Sequence, residues 1–427
     1  MASTYLTRSI TSTNSTWTFS AWIKRTGLGS TQYLIEWGTS SGNGISFSSA
    51  DKIQYYAEGS GSNPVSTMVF RDTNAWYHIV VRNNAGTLTF YVNGETITMS
   101  SGAGSALSAT TMRIGDWRTG DYHFDGIMSH VHFIDGTAYA ASTFGSTDAS
   151  TGEWKINTNP SVTYGSDGFF ILKDGNSVTD ASPNTNNFTV SGGTLTKTED
   201  CPSNIFCTVN PVFAHNISGA YTPNLVQGNT TWYPSSNTGH SWGRSTLGWT
   251  SGKYYMEFKI EEANSGQSSG VWMVPTELPQ NVSPQTPSNT TYGWQIQYSG
   301  SDQNFYTTNG GSTVSTITTS VGANPIVMMA IDADNDKMWI GHNGTWYNNN
   351  NASTTLNNSY PDHTWTPGTY GDMYQLSFQS YFQSSNYNNN RANFGNGYFG
   401  TTAVSSAGTN ASNNGIFEYD VPSGFTA

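Results

Sequence analysis

TWTFSAWIKR, residues 16–25, sets Trp17, Phe19, Ala21 and Ile23 on one side of an extended chain and Thr18, Ser20 and Lys24 on the other. A period of two marks a strand with one face in a core. Trp22 is the single large ring on the polar side. Further on, AWYHIVVRNNAGTLTFYVNGETI (75–97) places Asn93-Gly94 between two β-prone runs. Both residues tolerate the positive φ that a tight hairpin turn requires. FDGIMSHVHFIDGTAYAASTFG (124–145), GKYYMEFKIEE (252–262) and IVMMAIDADNDKMWIGHNGTWYN (326–348) repeat the pattern, the last around an acidic turn. The one helix candidate is 136–145, about two turns. The chain is therefore expected to be all-β: two tandem antiparallel sandwiches over 1–198 and 211–427, joined by a Pro-containing linker at 199–210.

Composition agrees with that reading and excludes several functions. A chain of 427 residues suits two all-β domains. Charged residues are 10% of the chain, far below the roughly 25% usual in soluble proteins. Aromatics are 14%, with 14 Trp and 24 Tyr, enough large rings to fill the space between sheets. A net charge of −12 with no basic stripe argues against nucleic acid as a partner. The polar start MASTYLTRSITSTNS is no standard signal, and the longest apolar run, Ile326–Ile331, is too short to cross a bilayer, so neither secretion by a standard signal nor membrane insertion is expected. Asn-x-Ser/Thr triplets at Asn216 and Asn343 are chance products of an Asn-, Ser- and Thr-rich chain. Cys201 and Cys207 are read as free thiols, with no His at zinc-ligand spacing. The Asn-rich tracts 348–351 and 388–390 are read as ordered loop tips.

The first half, through WTFSAWIKR and the later FDGIMSHVHFIDGTAYAASTFG…TGEWKI, resembles the concanavalin A-like/laminin-G jelly roll in the version found in virion proteins of marine bacteriophages. The junction CPSNIFCTVNP is similar to the linker of those proteins. Through GKYYMEFKI and DADNDKMWIGHNGTWYN the second half resembles a SPRY-like sandwich. The resemblance implies a non-enzymatic structural protein on the virion surface. The chain shows no heptad run and no fibrous repeat, and it enters its first strand at Tyr5-Leu6-Thr7. That favours capsid decoration or a capsid-attached fibre over a tail fibre or other receptor-binding protein. The closing FEYDVPSGFTA resembles a stretch that in those sequences runs further, so a shortened C-terminus is expected.

Catalysis by a retaining glycosidase needs two carboxyls about 5 Å apart. The nearest pair, Glu257 and Glu261, shares a strand face with Lys259 between them, which reads as an exposed surface ladder. Asp332 to Asp336 lacks the glycine and the bidentate Glu of a calcium loop and reads as a hairpin turn. Asp116, Asp121 and Asp125 are weak metal candidates and read more simply as turn acids. His130 and His132 alternate on one strand without a third ligand and read as half-buried. No nucleophile elbow or phosphate loop occurs, and no cofactor is expected.

Sugar recognition has some support, because aromatic faces pack on pyranose C–H groups while amides and carboxylates fix hydroxyls. The candidate ligand-binding residues are Trp117 with Tyr122 and His123, Trp232 with Tyr233, and Trp346 with Tyr347 and Asn348. The expected partners are other virion proteins, a host surface glycan and further copies of the chain, a trimer being favoured. A capsular polysaccharide depolymerase is the competing reading.

Overall fold

The structure is a computed structural model. It describes residues 4–427 apart from 39–41, 58–62, 119, 174–176, 214–218, 237–238, 262–266, 285–290, 300–301, 310–311, 319, 367–369 and 383–388. Asn216 and part of the 388–390 tract lie outside the described residues. The chain divides into two compact units, Met1–Ile205 and Phe206–Ala427. The stretch 199–210 is shared between them. Cys201 and Cys207 are unbridged and fall in different units.

The first unit is two six-stranded antiparallel sheets. One runs in the order Thr189–Ser191, Tyr5–Ile10, Thr110–Ile114, Gln32–Trp37, Asn43–Phe47, Ile53–Tyr56. The other runs Phe169–Ile171, Gly126–Asp135, Thr16–Arg25, Tyr77–Asn84, Thr87–Val92, Glu95–Thr96. Strand Thr16–Arg25 lies between the other two diagnostic stretches, with Trp17 opposite Asn83 and Asp135. Trp17, Phe19, Ala21 and Ile23 enter the core, where Trp17 meets Trp37 edge-on at 5.1 Å.

The other face of this strand is not in water. Thr18, Ser20, Trp22 and Lys24 are all buried, beneath a second apolar layer that includes Ala141, Phe144, Trp154 and Tyr164. The segment 136–164 thus covers the sheet, and in place of the expected two-turn helix it forms a single 3-10 turn, Ala141–Thr143. Its start has no side-chain cap, and so short a run cannot offset the cost of helix nucleation. His78 stacks between Trp22 at 4.8 Å and Trp154 at 6.0 Å. Trp154 Nε1 donates to His78 Nδ1 at 2.9 Å. Since an indole can only donate, the imidazole proton sits on Nε2, which donates to Ser20 Oγ at 2.9 Å. Burial pushes the His78 pKa down to about 3. On the same face Lys24 and Asp200 form an ion pair of 2.8 Å, both side chains at most 3% exposed.

The second unit also packs two sheets. Ala220–Tyr221, Gly239–Trp249, Tyr374–Phe382, Ser268–Pro275, Tyr292–Ser299, Asp302–Asn309 and Ser312–Thr318 form one, antiparallel except for its first pair. Asn224–Val226, Thr231–Tyr233, Asn390–Asn393, Lys253–Ile260, Ile326–Asp332, Lys337–His342 and Thr345–Trp346 form the other, with His363–Thr364 added beside Lys337–His342. Trp232, Phe258, Val271, Trp294 and Phe378 fill the space between them. The outer face of the second sheet is again covered: Phe417, Val421 and Phe425 pack on Tyr255, Met328, Trp339 and Trp346. No helix among the described residues is long and apolar enough to cross a membrane.

Candidate functional site

The most ligand-like surface lies on the side of the first unit's Gln32–Trp37 sheet that faces away from the core. Leu34, Ile35 and Trp37 take the core side. The register break between Tyr33 and Ile35 explains two successive core residues and leaves Tyr33 and Glu36 on the other face. Tyr33 packs against Trp117 at 4.4 Å and lies 6.3 Å from Tyr122, while Tyr56 meets Trp117 edge-on at 5.4 Å. The turn that carries Trp117 is closed by Trp117 N to Asp121 O at 3.1 Å and Gly120 N to Trp117 O at 2.9 Å. It is tied to the sheet by Tyr33 N to Tyr122 O at 2.9 Å. Tyr122, at φ +59°, is 52% exposed, and Trp117 is half-buried. Gly42 permits the close packing beneath, since a Cβ there would stand 2.8 Å from Trp117 Cη2 and 2.9 Å from Glu36 Oε1.

Charged groups line the base of this aromatic cluster. Glu36 and Asp116 are wholly buried. His123 Nδ1 lies 3.0 Å from Asp116 Oδ1, and Arg113 Nε lies 3.9 Å from Glu36 Oε2. Burial raises the Asp116 carboxyl, and the nearby His123 and Arg113 charges oppose the rise. The Arg118 guanidinium stands 5.5 Å from the Trp117 ring centroid. The Tyr122 and Trp117 rings can stack on a sugar face, and the partly exposed His123, held by the buried Asp116, can bond its hydroxyls. Sequence reading located Trp117, Tyr122 and His123. It missed Tyr33, Tyr56, Glu36 and Arg113, although Glu36, an acid inside the apolar run QYLIEW, was a visible anomaly.

The remaining candidates lie elsewhere, and most are corrected by burial. Trp232 is fully buried in the second core beside Phe258 and Phe378, and Tyr233 is a half-buried strand residue rather than a loop residue. Trp346 is 3% exposed beneath the C-terminal cover. The Tyr347 hydroxyl is taken by Ser315, Thr316 and Asn350. Asn348, with no exposure, folds its own loop through Asn351 O, Thr355 O and Asn357 N.

Asp116, Asp121 and Asp125 do not converge: among the described residues no three His, Cys, Asp or Glu side chains could hold a metal, and Asp125 accepts from Thr26 Oγ1 at 2.6 Å. His130 and His132 are buried rather than half-buried, and a bulge separates their register. The acidic run is a hairpin turn in which Asp332 accepts from Asn335 and pairs with Lys253.

Glu257 is the largest departure. It is wholly buried, accepting from Tyr255 Oη at 2.9 Å, Tyr419 N at 2.8 Å, Glu418 N at 2.9 Å and Asn393 Nδ2 at 3.2 Å. It anchors the C-terminal cover. Glu261 instead pairs with Arg391 and Asn389.

Residues 2–143 match the Laminin_G_3 model of the concanavalin A-like lectin/glucanases superfamily. The match contains the whole Tyr33–Trp117–Tyr122 cluster. No curated protein matches the chain significantly. Among solved structures, the chain is similar to a candidate carbohydrate binding protein from Bacteroides ovatus at 20% identity, covering 46% of this chain and 58% of that one, with a TM-score of 0.30. It is similar to the TRIM65 PSpry domain at 10% identity, covering 44% and 88%, TM-score 0.28. The SPRY domain of human HERC1 aligns at 18% identity over 38% and 87%, TM-score 0.26.

Proposed function

We propose that the chain is a non-enzymatic recognition protein whose first unit binds carbohydrate on the Trp117, Tyr33 and Tyr122 platform. The observation that carries this is the juxtaposition of an exposed Tyr122 and a half-buried Trp117 with the His123–Asp116 pair, inside the region that matches the lectin/glucanase model. Titrating the full chain with a panel of bacterial surface oligosaccharides tests it. Trp117→Ala should abolish binding without altering thermal unfolding of the second unit, and unchanged binding would overturn the assignment. A depolymerase would instead release new reducing ends from capsular polysaccharide.

The setting we propose is the surface of a phage particle assembled in the bacterial cytoplasm, with capsid or tail proteins and a host glycan as partners. Its support is the sequence resemblance of WTFSAWIKR and its following motifs to virion proteins. Folded sandwiches can dock on repeated capsid sites with little ordering cost, which favours capsid decoration and a symmetric oligomer, a trimer first. Dozens to hundreds of copies per particle would fit decoration; a handful matching tail symmetry would refute it.

A further inference from the structure

At one end of the second unit Thr250, Ala333, Asp336, Trp365, Asp372 and Tyr374 line an open cleft of about 120 Å³. The backbone around it is tied by Ala333 N to Gly252 O at 2.8 Å and Trp365 N to Asp336 O at 3.2 Å. Trp365 and Tyr374 meet edge-on at 5.8 Å. They are only 6% and 3% exposed, yet neither Trp365 Nε1 nor Tyr374 Oη has a hydrogen-bond partner among the described residues. Buried donors left unpaired are costly and rare in folded proteins. Among the described residues the lining holds two carboxylates and no Lys, Arg or His, and the nearby Lys253 is engaged by Asp332 at 2.8 Å. Burial, together with the charges of Asp336, Tyr292 and Asp372, pushes the Tyr374 phenol up to about 12. A ligand that suits this lining brings a positive charge for the carboxylates and acceptor oxygens for the indole and phenol.

We propose that this cleft is a second ligand site, for a hexosamine whose amine is free, its ammonium facing Asp336 and Asp372 and its ring oxygens accepting from Trp365 and Tyr374. A neutral hexose leaves the two carboxylates without a counter-charge. A lysine side chain supplies the ammonium but carries no acceptor near it, so Nε1 and Oη stay unpaired. An amino sugar meets both demands within one ring, and Trp365 and Tyr374 add aromatic surface for its C–H face.

The test is calorimetric titration of the full chain with a glucosamine tetramer, alongside the N-acetylglucosamine tetramer and lysine amide. Asp336→Asn and Asp372→Asn remove charge with little risk to folding, because Asp336 sits at φ +52°, which Asn tolerates, and Asp372 is exposed. The glucosamine tetramer should bind. Each variant should weaken it about tenfold, and the acetylated tetramer should bind at least about tenfold more weakly than the free amine. Run in the Trp117→Ala background, the same titrations report the cleft apart from the platform of the first unit. The proposal is overturned by absence of binding, by equal binding of the acetylated tetramer or of lysine amide, or by full retention in the Asp336→Asn/Asp372→Asn double variant.

Discussion

Glu257→Gln should destabilise the second unit by an amount that shrinks as pH rises. Four donors, from Tyr255, Asn393 and the backbone of Glu418 and Tyr419, converge on two carboxylate oxygens. Glutamine keeps one acceptor oxygen and turns an amide toward the other pair, leaving two buried donors unpaired at about 1–3 kcal/mol each. The native carboxyl carries its own cost. Burial, only partly opposed by those hydrogen bonds, raises its pKa from 4.5 to about 7.

A group raised in the folded state stabilises most below its unfolded value and loses that contribution as pH climbs through the folded one. At 1.36 kcal/mol per pH unit, the interval is worth about 3 kcal/mol in order of magnitude. The variant cannot titrate there. The gap between wild type and Glu257→Gln should therefore be widest near pH 4.5 and narrow by about 3 kcal/mol by pH 8. Urea unfolding of both proteins at several pH values, followed by tryptophan fluorescence, measures it. A gap that stays constant would mean an unperturbed carboxyl, and one that widens with pH would mean that the four donors outweigh burial; either result refutes the reasoning.

Other expectations follow from the same geometry. Asp200→Ala should cost about 3–5 kcal/mol, because it strands the Lys24 ammonium in a dry layer; denaturant unfolding of the first unit reads it, and a loss under about 1 kcal/mol would contradict the burial. Trp232→Ala should cost about 3–5 kcal/mol as a core cavity while leaving oligosaccharide affinity unchanged, the reverse of Trp117→Ala. His78, depressed from 6.5 to about 3, should stay neutral at pH 5 by NMR. Since a lowered His pKa withdraws stability as pH falls below the unfolded value, the first unit should weaken between about pH 6.5 and pH 3, and His78→Phe should blunt that slope.

The architecture was legible because burial between two sheets imposes a period of two, and Trp17, Phe19, Ala21 and Ile23 obey it. What covers the outer faces was not legible. Ser20 and Glu257 sit on the non-core side, as alternation says, but the residues that bury them arrive from 136–164 and from 417–425. A local pattern carries no information about such distant contacts. Aromatic residues misled for a related reason. Trp117 and Trp232 both stand beside Tyr or charged neighbours near turn signals, and only the sheet register decides which ring enters a core. Trp117 follows Gly115-Asp116 and lies in a turn closed onto Asp121. Trp232 belongs to a short strand paired with Asn390–Asn393, a partner far away in sequence. Tyr33 and Tyr56 went unnoticed because each looks like ordinary strand filler.

The cover held by Glu257 also imposes an order of events during synthesis. Tyr255, Met328, Trp339 and Trp346 are all translated well before Phe417 and Phe425. Until those rings leave the ribosome, the second unit can pair strands while an aromatic surface and an acidic side chain stand bare to solvent. Such half-clothed intermediates are prone to stick to one another. Ribosome stalling near residue 410 should therefore yield nascent chains that bind hydrophobic dyes and recruit chaperones, whereas release of residues 417–425 from the ribosome should silence both.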